Sequence, residues 1–155
     1  FAYWNDTSPT SSVFSLGSHA ATNGSSNNII AYCFAEISGY SSFDSYTGNG
    51  SADGPFVYCG FKPAWLLVKR VVGGTGNWDI LDTKRDTFNP ADAVLDADAV
   101  TAEASYSTID FDFLSNGFKV RGTQSNINTS GNTYLYMAFA ENPFGGDGAA
   151  PATAR

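Results

Sequence analysis

The chain has 155 residues, enough for one domain, and combines 15% charged with 15% aromatic residues at a net charge of −7. That balance argues against a nucleic-acid backbone or an anionic membrane surface as partner, since both are gripped by clustered Lys and Arg and only eight are present. No apolar run approaches the roughly 18 residues that a spanning helix needs, and the Gly, Ser, Asn and Thr content predicts an all-β domain with many tight turns.

In chain order, the sequence opens at Phe1 without a charged, signal-like leader and is expected to be part of a longer polypeptide. Phe1 to Trp4 and Val13 to Leu16 read as short strands either side of a turn-rich stretch. The following loop holds His19, the single histidine, which leaves no histidine partner for a metal and predicts a solvated side chain. Ile29 to Glu36 is apolar at nearly every position, the pattern of a central strand covered on both faces. Cys33 lies within it and Cys59 in a later apolar strand, so both are predicted as buried free thiols.

Ser38 to Gly54 reads as a long polar connection whose glycines supply turns; Asp44 and Asp53 do not match the spacing of a calcium loop. Next comes the longest apolar stretch. Phe56 to Phe61 is a strand, Lys62-Pro63 breaks the ladder, and Ala64 to Val71 is a second strand. Trp65-Leu66-Leu67-Val68 is apolar at both parities, which predicts a central position.

Gly73 to Gly76 then makes a hairpin into Asn77 to Asp82, where Trp78, Ile80 and Asp82 share one parity and Asp79 and Leu81 the other. With Trp78 and Ile80 taken as core, Asp79 points outward. Thr83 to Ser105 is mostly loop with a short strand near Val94-Leu95; Asn89-Pro90 is a fair helix start, but no apolar stripe follows it. Thr108 to Leu114 alternates strictly, with Ile109, Phe111 and Phe113 inward and Asp110 and Asp112 outward. Ser115-Asn-Gly117 turns it into a strand from Phe118 to Arg121.

After a polar loop, Thr133 to Glu141 is the last strand, and its Phe-Ala-Glu ending repeats that of Ala31 to Glu36. The expected fold is an all-β antiparallel sandwich, jelly-roll-like, of about eight strands with long polar loops. It would occupy residues 1–144, with residues 145–155 as an extended tail.

Chemistry-bearing residues are few. Glu36 and Glu141 close two similar strands and are the natural pair for glycoside hydrolysis, which needs an acid and a base or nucleophile. Strand ends are also simply where a core sequence returns to water, and that reading is preferred. No Gly-X-Ser-X-Gly elbow or histidine-based triad is present. Asp96/Asp98, Asp110/Asp112 and Asp79 with Asp82 are pairs common without a metal, and Asp110 and Asp112 read as a solvated face, so no metal or other cofactor is predicted. A sugar platform could be built from Trp78, Asp82 and Arg85, with Asp79 beside them, because a pyranose offers one apolar face and a rim of hydroxyls. Asp79 to Asp86 with Arg85 also reads as a local ion-pair network. The loops Tyr40–Asp53 and Gln124–Asn132 carry the Tyr, Ser, Asn and Gly of adaptable contact surfaces. Four Asn-X-Ser/Thr matches, at Asn5, Asn23, Asn49 and Asn128, are expected by chance in so polar a chain.

Several stretches together resemble a domain near the C-terminus of tail-fibre-like and other virion structural proteins of tailed bacteriophages, marine ones among them. They are Ile30 to Glu36, Tyr46 to Ser51, Val57 to Pro63, Leu67 to Arg70, Gly76-Asn-Trp78, Leu81-Asp82, Phe113 to Lys119 and Tyr136 to Glu141. The resemblance implies a β-sandwich of a virion particle made in the host cytoplasm. It further implies a homo-oligomer among other virion proteins, directed at host attachment or assembly, with bacterial surface polysaccharide as a target. It supplies no catalytic residues, and the expectation is a non-enzyme. The alternatives are a glycan-degrading tail protein using Glu36 and Glu141, and a capsid decoration protein.

Overall fold

The computed structural model of the chain describes residues 3–143, which divide between two compact units, Phe1–Phe34 and Ala35–Arg155. The tail expected at 145–155 and the first two residues of the predicted opening strand lie outside the described residues.

In the first unit, Tyr3 and Trp4 sit in a turn and Val13 to Leu16 forms no strand. A single helical turn, α1 (Ala20–Asn23), follows His19, whose Nδ1 accepts the Ala21 N–H at 3.1 Å and whose ring stacks on Tyr3 at 4.0 Å. The lone histidine is therefore a helix cap, as short side-chain acceptors are elsewhere. Ile29 to Glu36 departs most from expectation. It forms no strand, and Ile30 and Tyr32 are 77% and 81% exposed. Apolar content reports a preference for burial, whereas a strand also needs neighbouring ladders. Cys33 is accordingly exposed and Cys59 half-buried; both are free thiols.

Among the described residues all nine strands belong to the second unit, a β-sandwich of two antiparallel sheets. They are β1 (Ser41–Thr47), β2 (Phe56–Tyr58), β3 (Pro63–Arg70), β4 (Trp78–Asp82), β5 (Ala93–Asp96), β6 (Ala104–Ser105), β7 (Phe111–Leu114), β8 (Gly117–Val120) and β9 (Thr133–Ala140). The large sheet runs β1-β9-β3-β4-β5-β6 and the small one β2-β8-β7. Pro63 opens β3, where it removes no interior ladder bond, and the register shifts between Pro63 and Trp65. The Gly73–Gly76 turn and the Ser115-Asn116 turn close the β3–β4 and β7–β8 hairpins as read from the sequence.

Alternation decides the core. On the large sheet Tyr46, Tyr134, Tyr136, Ala138, Leu66, Val68, Leu81 and Val94 face inward. Val57, Phe111, Phe113, Phe118 and Val120 meet them from the small sheet. Ile109, Phe111 and Phe113 are buried as their alternation predicts. The polar connection at 38–54, in contrast, contains β1. Its buried positions are filled by Ser41, Ser42 and Tyr46, so only one large apolar residue marks the inward face, too thin a signal for a strand. The loop at 124–132 likewise hides α2 (Ser125–Asn128), whose Ile127 and Asn128 are fully buried.

Candidate functional site

The outer face of the large sheet is the surface that the inner core does not use, and its composition is unusual. Pairing registers place Phe43, Met137, Leu67, Ile80 and Leu95 side by side, one per strand, in a row crossing β1, β9, β3, β4 and β5. Every member is apolar; Leu95 is exposed, Phe43, Met137 and Ile80 are half-buried, and the central Leu67 is only 7% exposed. An outward row on a solvated antiparallel sheet ordinarily carries polar residues.

Two further rows flank it. On one side Ser45, Leu135, Lys69 and Trp78 are neighbours. Trp78 and Leu135 are 42% and 48% exposed, and Lys69 Nζ stands 5.8 Å from the Trp78 ring centroid while donating to Gly76 O. That geometry is a cation–π contact. On the other side Ser41, Phe139, Trp65 and Asp82 are neighbours, with Trp65 and Phe139 ring centroids 5.6 Å apart.

The four residues singled out from the sequence thus do not form one site. Trp78 and Asp82 share the outer face but stand at opposite ends of β4. Asp79 points the other way and is 1% exposed, which corrects the expectation that Trp78 and Ile80 face the core. The parity was right and its sign reversed, because β4 is apolar at both parities and only its neighbours decide which side is covered. Trp65, taken as buried on both faces, is half-buried beside Asp82 instead. An aromatic ring next to a carboxylate and a guanidinium therefore does exist here, built by Trp65, Asp82 and Arg85.

Arg85 organises that corner. Its Nε donates to Asp82 Oδ2 at 2.6 Å, Nη1 to Glu103 Oε2 at 2.7 Å and Nη2 to Ile80 O at 3.0 Å. Asp82 Oδ1 also accepts the Lys84 and Arg85 N–H groups. Burial pushes the Asp82 carboxyl up, but these hydrogen bonds outweigh it and hold the group below its ordinary value. The predicted ion-pair network is real at Asp82 and Arg85, with Glu103 as a member that sequence distance concealed. Asp86 serves elsewhere, its Oδ2 accepting the Asp92 and Ala93 N–H groups.

Glu36 and Glu141 reach the same end of the large sheet but are differently engaged. Glu141 pairs with Lys62 at 2.8 Å. Glu36 accepts from Ser42 Oγ at 3.2 Å, and Ser42 in turn is 3.1 Å from Tyr136 Oη. Burial pushes the Cys59 thiol and the Tyr136 phenol each up to about 12. Neither is activated as a nucleophile, which requires a lowered value. Among the described residues no three His, Cys, Asp or Glu side chains are placed to hold a metal ion, and no helix is long and apolar enough to cross a membrane. The Asn128 sequon is inaccessible, since its amide is buried and fully bonded.

The family profile of a domain of unknown function, DUF7483, matches residues 1–143. The chain belongs to the DUF7483 family. No curated protein and no solved structure matches it. As a DUF7483 domain it carries its distinguishing surface on the outward side of the six-stranded sheet, so the function is argued from that surface.

Proposed function

We propose that this DUF7483 domain is a non-enzymatic structural module that works by contact. In this reading it is a tail-fibre-like virion component, serving host attachment or particle assembly, and the outer face of the large sheet is its contact surface. The apolar outer face carries the proposal: the row from Phe43 to Leu95 lines it and Trp78, Leu135 and Leu95 stand exposed on it, and clustered outward apolar side chains mark an interaction site. A second copy of the chain is the partner that this surface suits. Its flanking rows hold Lys69 at one end and Asp82 at the other, so a two-fold axis along the central row brings opposite charges together. The resemblance to phage virion proteins supports the same assignment.

One observation favours polysaccharide as an additional target. Trp65 is the cross-strand neighbour of Asp82, which Arg85 bonds, and a ring with a carboxylate and a guanidinium suits a pyranose.

The test is mass in solution by light scattering, followed by binding and product assays with host envelope polysaccharide. A multimer that reverts to monomer in Leu95→Ser/Leu135→Ser supports assembly through this face. Polysaccharide retention lost in Arg85→Ala supports attachment. A monomer that retains no polysaccharide overturns the proposal. So does release of oligosaccharide that is abolished by Glu36→Gln or Glu141→Gln, which would establish the glycan-degrading alternative.

A further inference from the structure

Asp79 lies on the inward side of β4, 1% exposed, and neither carboxylate oxygen has a hydrogen-bond partner. Directly across the β4–β5 ladder on the same face is Asp96. Asp98 follows it and accepts the Trp78 N–H at 2.9 Å. Two like charges opposite each other in a sheet repel, and a buried carboxylate without a donor is costly. One proton removes both difficulties, since a neutral acid can donate to the neighbouring carboxylate.

We propose that Asp79 and Asp96 share a proton and so latch β5 onto β4, holding the β5–β6 edge of the large sheet when the proton is present and loosening it when the proton leaves. The edge is suited to such control. β5 meets β4 through the pairs Asp79/Asp96 and Ile80/Leu95, and β6 meets β5 through two more pairs. Opening it also releases the Ala97 N–H from Trp78 O, the Asp92 and Ala93 N–H groups from Asp86, and Val94 from the core, so the latch acts beside other contacts that hold the edge.

The surroundings decide whether the pair can simply ionise. From β3, Lys69 acts on Asp79 from the outer face, and Arg70 lies on the inward face with Nη1 committed to Ser125 O and a buried Nε that has no partner. From β1 comes Tyr46, whose hydroxyl donates to Ile127 O, and from β9 Tyr134, bonded to Ser125 O. On the β5 side Thr101 Oγ1 donates to Asp96 Oδ2. The buried residues of the small sheet, Val57, Phe111, Phe113, Phe118 and Val120, carry no titratable group. No cation bonds Asp79, and burial, then Asp96 and Asp98, push its carboxyl up to about 7 against the weaker opposing pull of Lys69.

The direction of the effect follows. An acid whose value is raised by folding keeps its proton in the folded state after the unfolded chain has lost it. Stability from this group is therefore greatest below about pH 4, falls as the pH rises toward about 7, and levels off above that.

The test is a carbon-13 titration of aspartate carboxyls in the full chain from about pH 4 to about pH 9, with amide exchange read at residues 93–96 and 104–105. One carboxyl should titrate near 7 and vanish from the spectrum of Asp79→Asn. Intrinsic-rate-corrected protection at those amides should fall up to tenfold per pH unit in the wild type and stay flat in the variant. Asp96→Asn should lower the Asp79 midpoint, since an amide there donates to the carboxylate. An Asp79 carboxyl that titrates below about 4.5, or a pH dependence of exchange unchanged in Asp79→Asn, overturns the latch. Were Asp79→Asn not to fold, the wild-type titration alone decides.

Discussion

Asn128 is the polar residue on which the loops at one end of the sandwich converge, and replacing it tests the packing argument most directly. It is fully buried. Its Nδ2 donates to Ser51 O at 2.7 Å and Gly122 O at 2.9 Å, while Oδ1 accepts Asn49 N–H at 2.9 Å and, more weakly, Gly50 N–H at 3.4 Å. Asn128→Ala removes three good hydrogen bonds at roughly 1 kcal/mol each, a loss of about 3 kcal/mol. For a domain of this size that is a fall of about 10 °C in Tm. Asn128→Asp is nearly isosteric yet worse at neutral pH. It turns one bonded donor group into an oxygen facing two carbonyl oxygens, and places a charge where water cannot reach, for about 3–5 kcal/mol. Acid should recover part of that loss, because the protonated side chain can donate once more. Urea unfolding followed by tryptophan fluorescence measures both variants. A loss below about 1 kcal/mol for Asn128→Ala would refute the view that this amide holds the loops to the core.

Four further outcomes are expected. Gly117→Ala should cost about 2 kcal/mol or more in urea unfolding, because the new Cβ runs into Val57 O across the β2–β8 ladder and backbone cannot rotate aside. Gly131→Ala, in open space with φ +79°, should cost only its left-handed strain, about 1 kcal/mol. Arg85→Lys should lose about 1–2 kcal/mol by breaking the three-way fork to Asp82, Glu103 and Ile80. Because folding lowers the Asp82 carboxyl, the wild-type advantage should be present at neutral pH and disappear as the pH falls below the ordinary carboxylate range. Thiol labelling at about pH 8 should modify the exposed Cys33 rapidly and Cys59 only on unfolding, since burial leaves almost no Cys59 thiolate. Equal labelling rates would contradict that burial.

Sequence patterning reached the fold wherever a local signal and a tertiary partner agreed. Thr108 to Leu114 alternates, its turn is Asn-Gly, and the β7–β8 hairpin with Phe111 and Phe113 inward follows. It failed in both directions where they did not. Ile29 to Glu36 looks more like a strand than β1 does, yet β1, with its serines, has β9 beside it and is the strand. The candidate surface was half legible. Trp78, Asp82 and Arg85 are in or beside it, but Trp65 was hidden by a both-face apolar pattern, and Glu103, 18 residues along from Arg85, carries no local signal at all. The reversed face of β4 has the same origin. A five-residue strand with apolar side chains at both parities has two self-consistent orientations, and only the Leu66–Leu81 pairing selects one.

The place of β9 bears on how the molecule can come into being. It is the last strand in the chain, yet in the large sheet it lies between β1 and β3. Until residues 133–140 have left the ribosome, β1 has no neighbour on that side and β3 has only β4. Synthesis from the amino end therefore leaves the first strand waiting through the making of all the others, and the ladders that join it to the sheet close over the longest sequence separations in the domain. Strands β3 to β6 can pair as they emerge, but joining β1 to the sheet is a finishing step, set by the late arrival of β9.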